Sequence, residues 1–175
     1  MKTLLICASL LLLTGCMSFT DRPLRPVRDA LAQQLPDIRL QKEVGIAMSG
    51  GMFDFLDMVT PNEADLSEID HVQVAVYSIH PRGGFIDFTD EIFHESLMAK
   101  DAGLTWDRIV KVKEDSEQVW VYVGMDLDSN SLEALSVFVL ENDELVLINL
   151  GGDFYHMLEF AMKPARGHRG IYSSH

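Results

Sequence analysis

Cysteine is nearly absent from this chain: there are two in 175 residues, Cys7 and Cys16, and none beyond them. The body of the chain therefore has no disulfide, no thiolate metal ligand and no cysteine nucleophile. Long apolar runs are missing too. A helix needs roughly 20 residues to cross a bilayer, and the run Leu4–Leu13 is about half that. Basic residues are few, 14 Lys and Arg against 27 Asp and Glu, for a formal net charge of −13. That balance repels phosphate backbones and excludes nucleic acid as a partner. Catalytic and cofactor signatures are also lacking, with no G-x-G-x-x-G, no lysine-bearing phosphate loop and no G-x-S-x-G. His94-Glu95 begins like a zinc-protease helix, but Met98 stands where the second ligand belongs. Asp126–Asn130 begins like a calcium loop, but Ser131 replaces its glycine and Val137 its closing glutamate. Catalytic residues, a metal and a cofactor are accordingly none in this reading.

What the chain does have begins with an address. Lys2 and the apolar run after it form a secretory signal, and Leu13-Thr14-Gly15-Cys16 resembles the bacterial lipoprotein cleavage box. Residues 1–15 are read as the signal, Cys16 as the acylated N-terminus, 16–25 as a tether, 26–162 as one domain and 163–175 as a mobile tail. Met17 rather than aspartate after the cysteine favours the periplasmic face of the outer membrane. Arg22, Arg25 and Arg28 either lie against anionic headgroups or belong to a plain solvated tether.

The domain is organised around Trp106–Leu150, where four apolar-alternating segments are separated by short polar turns at Asp115-Ser116, Asp128–Ser131 and Asn142-Asp143. Such patterning predicts a four-strand antiparallel meander. Two further strands are expected: one carrying Ile38, Leu40, Val44, Ile46 and Met48 on a single buried face, and a central one over His71–Ile79. Helices are expected after Pro26, over Met52–Val59, over Thr89–Ala102 and after Gly151-Gly152-Asp153. The third has the clearest ends, with Thr89 as N-cap, a Phe88–Phe93 staple and Gly103 as a left-handed stop. The fold class is thus α+β: a two-layer sandwich, mainly antiparallel, with a C-terminal four-strand meander and helices on one face.

If Val119, Val121, Val123, Leu135, Val137 and Val139 point to the core, the alternate set is free. Trp120, Tyr122 and Phe138 then form a candidate protein-binding face. The three Gly-Gly pairs at strand ends, Gly50-Gly51, Gly83-Gly84 and Gly151-Gly152, are read as tight turns in preference to anion sites.

The acylated N-terminus, the Met52-Phe53 helix, the helix ending near Gly103 and the closing run Leu147-Ile148-Asn149-Leu150-Gly151-Gly152 together resemble the bacterial lipoprotein family of domain of unknown function 4252. That resemblance spans roughly Pro23 to Met162 and carries over no site residue. Two function classes follow. One is a non-catalytic, lipid-anchored periplasmic binding or adaptor module for an unknown envelope protein. The other is a small-molecule carrier or enzyme whose site is assembled from distant residues; a cleft with converging polar groups would favour it. An accessory role in envelope signalling is a third.

Overall fold

The computed structural model describes residues 17–51, 68–81, 88–114 and 117–154. Cys16, the Met52–Val59 helix, the Gly83-Gly84 pair and the tail lie outside them. The elements are β1 (Met17–Ser18), a 3-10 turn (Arg22–Leu24), α1 (Arg25–Gln34), β2 (Arg39–Ser49), β3 (Ile69–His80), α2 (Asp90–Lys100), β4 (Thr105–Lys113), β5 (Glu117–Asp126), β6 (Ser131–Glu141) and β7 (Glu144–Gly152). The strands form one antiparallel sheet in the order β1-β2-β3-β7-β6-β5-β4. β3 is central, as its two apolar faces require, and each of the last four strands pairs with the next. The tight turns use asparagine at positive φ, Asn130 at 53° and Asn142 at 51°, where its short polar side chain is tolerated.

The start of α2 forms as its sequence dictates. The Thr89 side chain accepts from the Ile92 N–H at 3.4 Å, Asp90 and Glu91 sit in the first turn, and the Phe88 and Phe93 rings stack at 5.3 Å. Its end differs from expectation. Gly103 is not in the left-handed region; the helix stops at Asp101, which turns extended and accepts the Gly103 N–H on its carboxylate at 3.1 Å. The side chain thus supplies the termination that a positive φ was expected to give.

The expected assignment of sheet faces is inverted. Trp120, Tyr122 and Phe138 are buried, in one cluster with Val27 and Leu31 of α1 and Phe93 and Leu97 of α2. Phe93 packs 4.2 Å from the Phe138 ring and 4.6 Å from that of Trp120. Val119, Val121, Leu135, Val137 and Val139 lie on the other face and are half-buried; only Val123 among that set is buried. The reason is volume and polar tips. Large rings fill the space beneath the helices, and burial satisfies their polar atoms: Trp120 Nε1 donates to Asp90 Oδ1 at 3.1 Å and Tyr122 OH to Asp90 O at 3.0 Å.

β2 departs from its expected single face for a local reason. A bulge between Lys42 and Val44 switches the alternation, so Leu40 pairs with buried Ile79 while Val44, Ile46 and Met48 join the valine face.

The expected tether is also part of the packed structure. Met17 and Ser18 pair with Met48 and Ala47, and Asp21 is only 2 % exposed. Asp21 meets Arg28 at 3.2 Å, Arg25 at 3.5 Å and Lys42 at 3.8 Å, and it accepts from Tyr77 OH at 3.2 Å. Three cations and a phenol around one buried carboxylate hold this segment to the sheet, so Arg25 and Arg28 serve the fold. Gly45 lets the strap cross so closely, because a Cβ there would lie 2.6 Å from Asp21 N.

Candidate functional site

Two regions combine exposure with unusual chemistry: a cleft on the helix side of the sheet and the whole opposite face. The cleft follows from side-chain size along one cross-strand row, His71–Gly151–Ala134–Gly124–Trp106. Of its small middle residues, Gly151 and Ala134 line a hollow of about 380 Å³ together with Lys100 and Asp101 at the end of α2, while Trp106 and Leu104 cover Gly124. The His71 ring lies directly on Gly151, where a Cβ would come 2.0 Å from Cε1. Gly151-Gly152 is therefore the end of β7 and not the turn expected of it, and Gly152, at φ 151°, crosses against Glu68 O.

The next row inward is polar: Gln73–Asn149–Ser136–Tyr122. Asn149, 1 % exposed, is its hub. Lys100 Nζ donates to Asn149 Oδ1 at 2.8 Å, His71 Nε2 lies 3.2 Å from the same oxygen, and Asn149 Nδ2 donates to Ser136 Oγ at 2.7 Å. An ammonium can only donate, so its neighbour must be the amide oxygen; His71 Nε2 then carries the hydrogen and Nδ1 is left as an acceptor. Burial is the main cause that lowers the His71 pKa, with the Lys100 charge adding to it against the Asn149 hydrogen bond and Asp70. Burial likewise lowers that of Lys100, against the attraction of Asp101. Asp70, Asp101, Asp126 and Glu133 also line the cleft. Among the described residues no group of three or more His, Cys, Asp or Glu is placed to hold a metal ion. The arrangement suits a small polar ligand held by hydrogen bonds. Lys100, His71 and Asn149 were not expected at a site from sequence, although polar residues at the inward parity of apolar strands were a signal for the last two; Ser136 was expected on the free face beside Phe138 and is buried with it.

The opposite face is aliphatic. Its middle row, Ile46–Val74–Ile148–Val137–Val121–Val110, crosses six strands without a polar side chain. A parallel row runs from Val44 to Val112 and a third from Met48 to Val123. Val44, Val110 and Val112 are 46 %, 40 % and 43 % exposed, and apart from Val123 the others are half-buried. So large a continuous apolar surface exceeds what solubility explains. Trp120, Tyr122 and Phe138, by contrast, present no surface to a partner. His94 is exposed and belongs to neither region.

Residues 41–157 match the family described as Domain of unknown function (DUF4252). The chain belongs to this family. Neither a curated protein nor a solved structure matches it. The matched span runs from β2 through β7, so it contains both the cleft and most of the aliphatic face.

Proposed function

We propose that this protein is a lipid-anchored, non-catalytic docking module of the bacterial envelope whose working surface is the aliphatic face of its sheet. The observation that supports this reading is the three-row plateau: if the fold is taken as two layers closed by the four-strand meander, with the helices on one side, the second side offers apolar area without a covering layer among the described residues. Obligate interfaces are the most apolar surfaces proteins make, and a plateau six strands wide has the span of a standard one.

The anchor rests on Leu13-Thr14-Gly15-Cys16, and Met17 after it supports the periplasmic side of the outer membrane. Among the described residues no helix is long and apolar enough to cross a membrane. Acyl chains contribute roughly 0.8 kcal/mol per buried methylene, so the lipidated protein should stay in the membrane pellet through a high-salt wash. Cys16→Ala should release it, and retention of that variant refutes the anchor.

The docking role is tested by cross-linking the lipidated protein in cells, with Val137→Asp as the disrupting variant and Val137→Thr as a milder one. Loss of a cross-linked partner in both, with each variant folded, is the expected outcome. An unchanged pattern refutes it. The second reading, a carrier of a small polar ligand, is favoured by the Lys100–Asn149–His71 network in its cleft.

A further inference from the structure

Resting on the reading of the aliphatic face as a docking surface, we propose that its partner is a cationic amphipathic segment of another protein, an apolar stripe flanked by Lys or Arg. The borders of the plateau carry this. Two residues beyond Val119, Val139 and Val146, the same parity puts Glu117, Glu141 and Glu144 on the same face, and these stand opposite one another in register. Ser78 extends the row from Glu144, and its hydroxyl donates to Glu43 Oε1 at 2.7 Å. The three registered glutamates are exposed, and among the described residues none has an ion-pair partner. Like charges directly opposite in an antiparallel sheet destabilise it, and no salt bridge among the described residues offsets this border. At the other end Asp107, registered with Val123, closes the third row. Of the three bases of β4, Arg108 and Lys111 are turned away to Asp90 of α2, and Lys113, registered with Gln118, has the parity of Lys111. Arg39, opposite His80 at the β2 corner, lies outside the glutamate row.

An apolar plateau with carboxylate borders selects its occupant by charge. A second copy would bring the same borders together at a formal net charge of −13 on each chain. Anionic headgroups meet the same repulsion. A basic flank is complementary, and dimensions give its form. Six strands at about 4.8 Å span roughly 24 Å, which a helix of about 16 residues matches. Three rows about 7 Å apart span roughly 14 Å, a little more than the width of one helix with its side chains, about 10–12 Å. The partner is thus a helix of about four turns lying along the rows, its Leu-type stripe on the valines and its Lys or Arg flank on Glu117, Glu141 and Glu144.

The probe is a labelled synthetic 16-residue peptide with leucine on one helical face and lysine on the other, compared with a twin bearing glutamate for lysine. Each is titrated into the full chain by fluorescence anisotropy at low and high salt. The lysine peptide should bind at least tenfold tighter than its twin, and salt should weaken it. The triple variant Glu117→Gln, Glu141→Gln, Glu144→Gln changes only exposed side chains and should reduce that preference to under threefold. Equal binding of the twins, or an unaltered preference in the triple variant, overturns the proposal. If Val137→Thr and Val137→Asp weaken both peptides alike while the glutamates make no difference, the docking surface stands and its cationic selectivity falls. If neither valine variant alters binding, both readings fall. A sedimenting dimer dissolved by Val137→Asp assigns the face to a second copy and overturns the proposal as well.

Discussion

The two faces of one sheet are built from the same strands and differ in almost every other respect. Under the helices the side chains are large rings or carry polar atoms: Phe138, Trp120, Tyr122, Tyr77 and, nearer the cleft, Asn149, Ser136 and His71. On the other side they are nearly all β-branched or aliphatic, with carboxylates only at the borders. The more hydrophobic set, by composition, is the more exposed one. Burial here follows the space left between sheet and helices and the partners available to polar tips, more than hydropathy. Asp90 illustrates this, since its backbone and carboxylate receive Tyr122, Trp120, Lys111 and Arg108 at the start of α2.

Substitutions on the two faces should therefore differ sharply, and Phe93 gives the largest contrast. Phe93 is fully buried among Phe88, Trp120 and Phe138, and Phe93→Ala should cost about 3–5 kcal/mol by opening a cavity. A denaturation midpoint close to that of the wild type would show that α2 is not packed against these rings. Tyr122→Phe is smaller. It keeps the ring and removes the donor to Asp90 O, for an expected loss of about 1 kcal/mol, read from chemical denaturation. On the open side Val137→Thr should change stability by less than about 0.5 kcal/mol, because a hydroxyl there reaches water. A cost several times larger would mean that the face is covered in the free protein.

The smallest effect belongs to the cleft. The His71 pKa is lower in the folded chain than its ordinary value near 6.5, mainly through burial. The unfolded chain then takes up a proton first as pH falls. Stability contributed by neutral His71 is present above about pH 6.5 and is lost as pH drops from there through the folded value. His71→Gln should flatten that part of the stability profile. A slope unchanged by the substitution would assign it to other groups.

Much of the fold was legible in the residues. Alternation located the strands, paired asparagine and aspartate located the turns, and Thr89, Phe88 and Phe93 marked the start of α2, because these signals act within a few residues. Other features escaped local reading. The bulge at Lys42–Val44 switches a strand from one face to the other without changing its hydropathy. Asp21 looks like part of a polar tether until Arg25, Arg28, Lys42 and Tyr77 converge on it from three elements. The cleft needed Gly151 and Ala134 to fall side by side with His71, which depends on the register of the three strands β3, β7 and β6.

The sequence by itself determined the family, the order of strands and turns, the acidic charge and the cap of α2, because each depends on composition or on neighbours along the chain. Only the tertiary structure decided which face of the sheet the helices cover. With both alternate sets apolar, period-2 patterning is satisfied either way round, and the choice falls to the fit of rings beneath α1 and α2 and to the hydrogen bonds waiting there for Trp120, Tyr122 and Asn149.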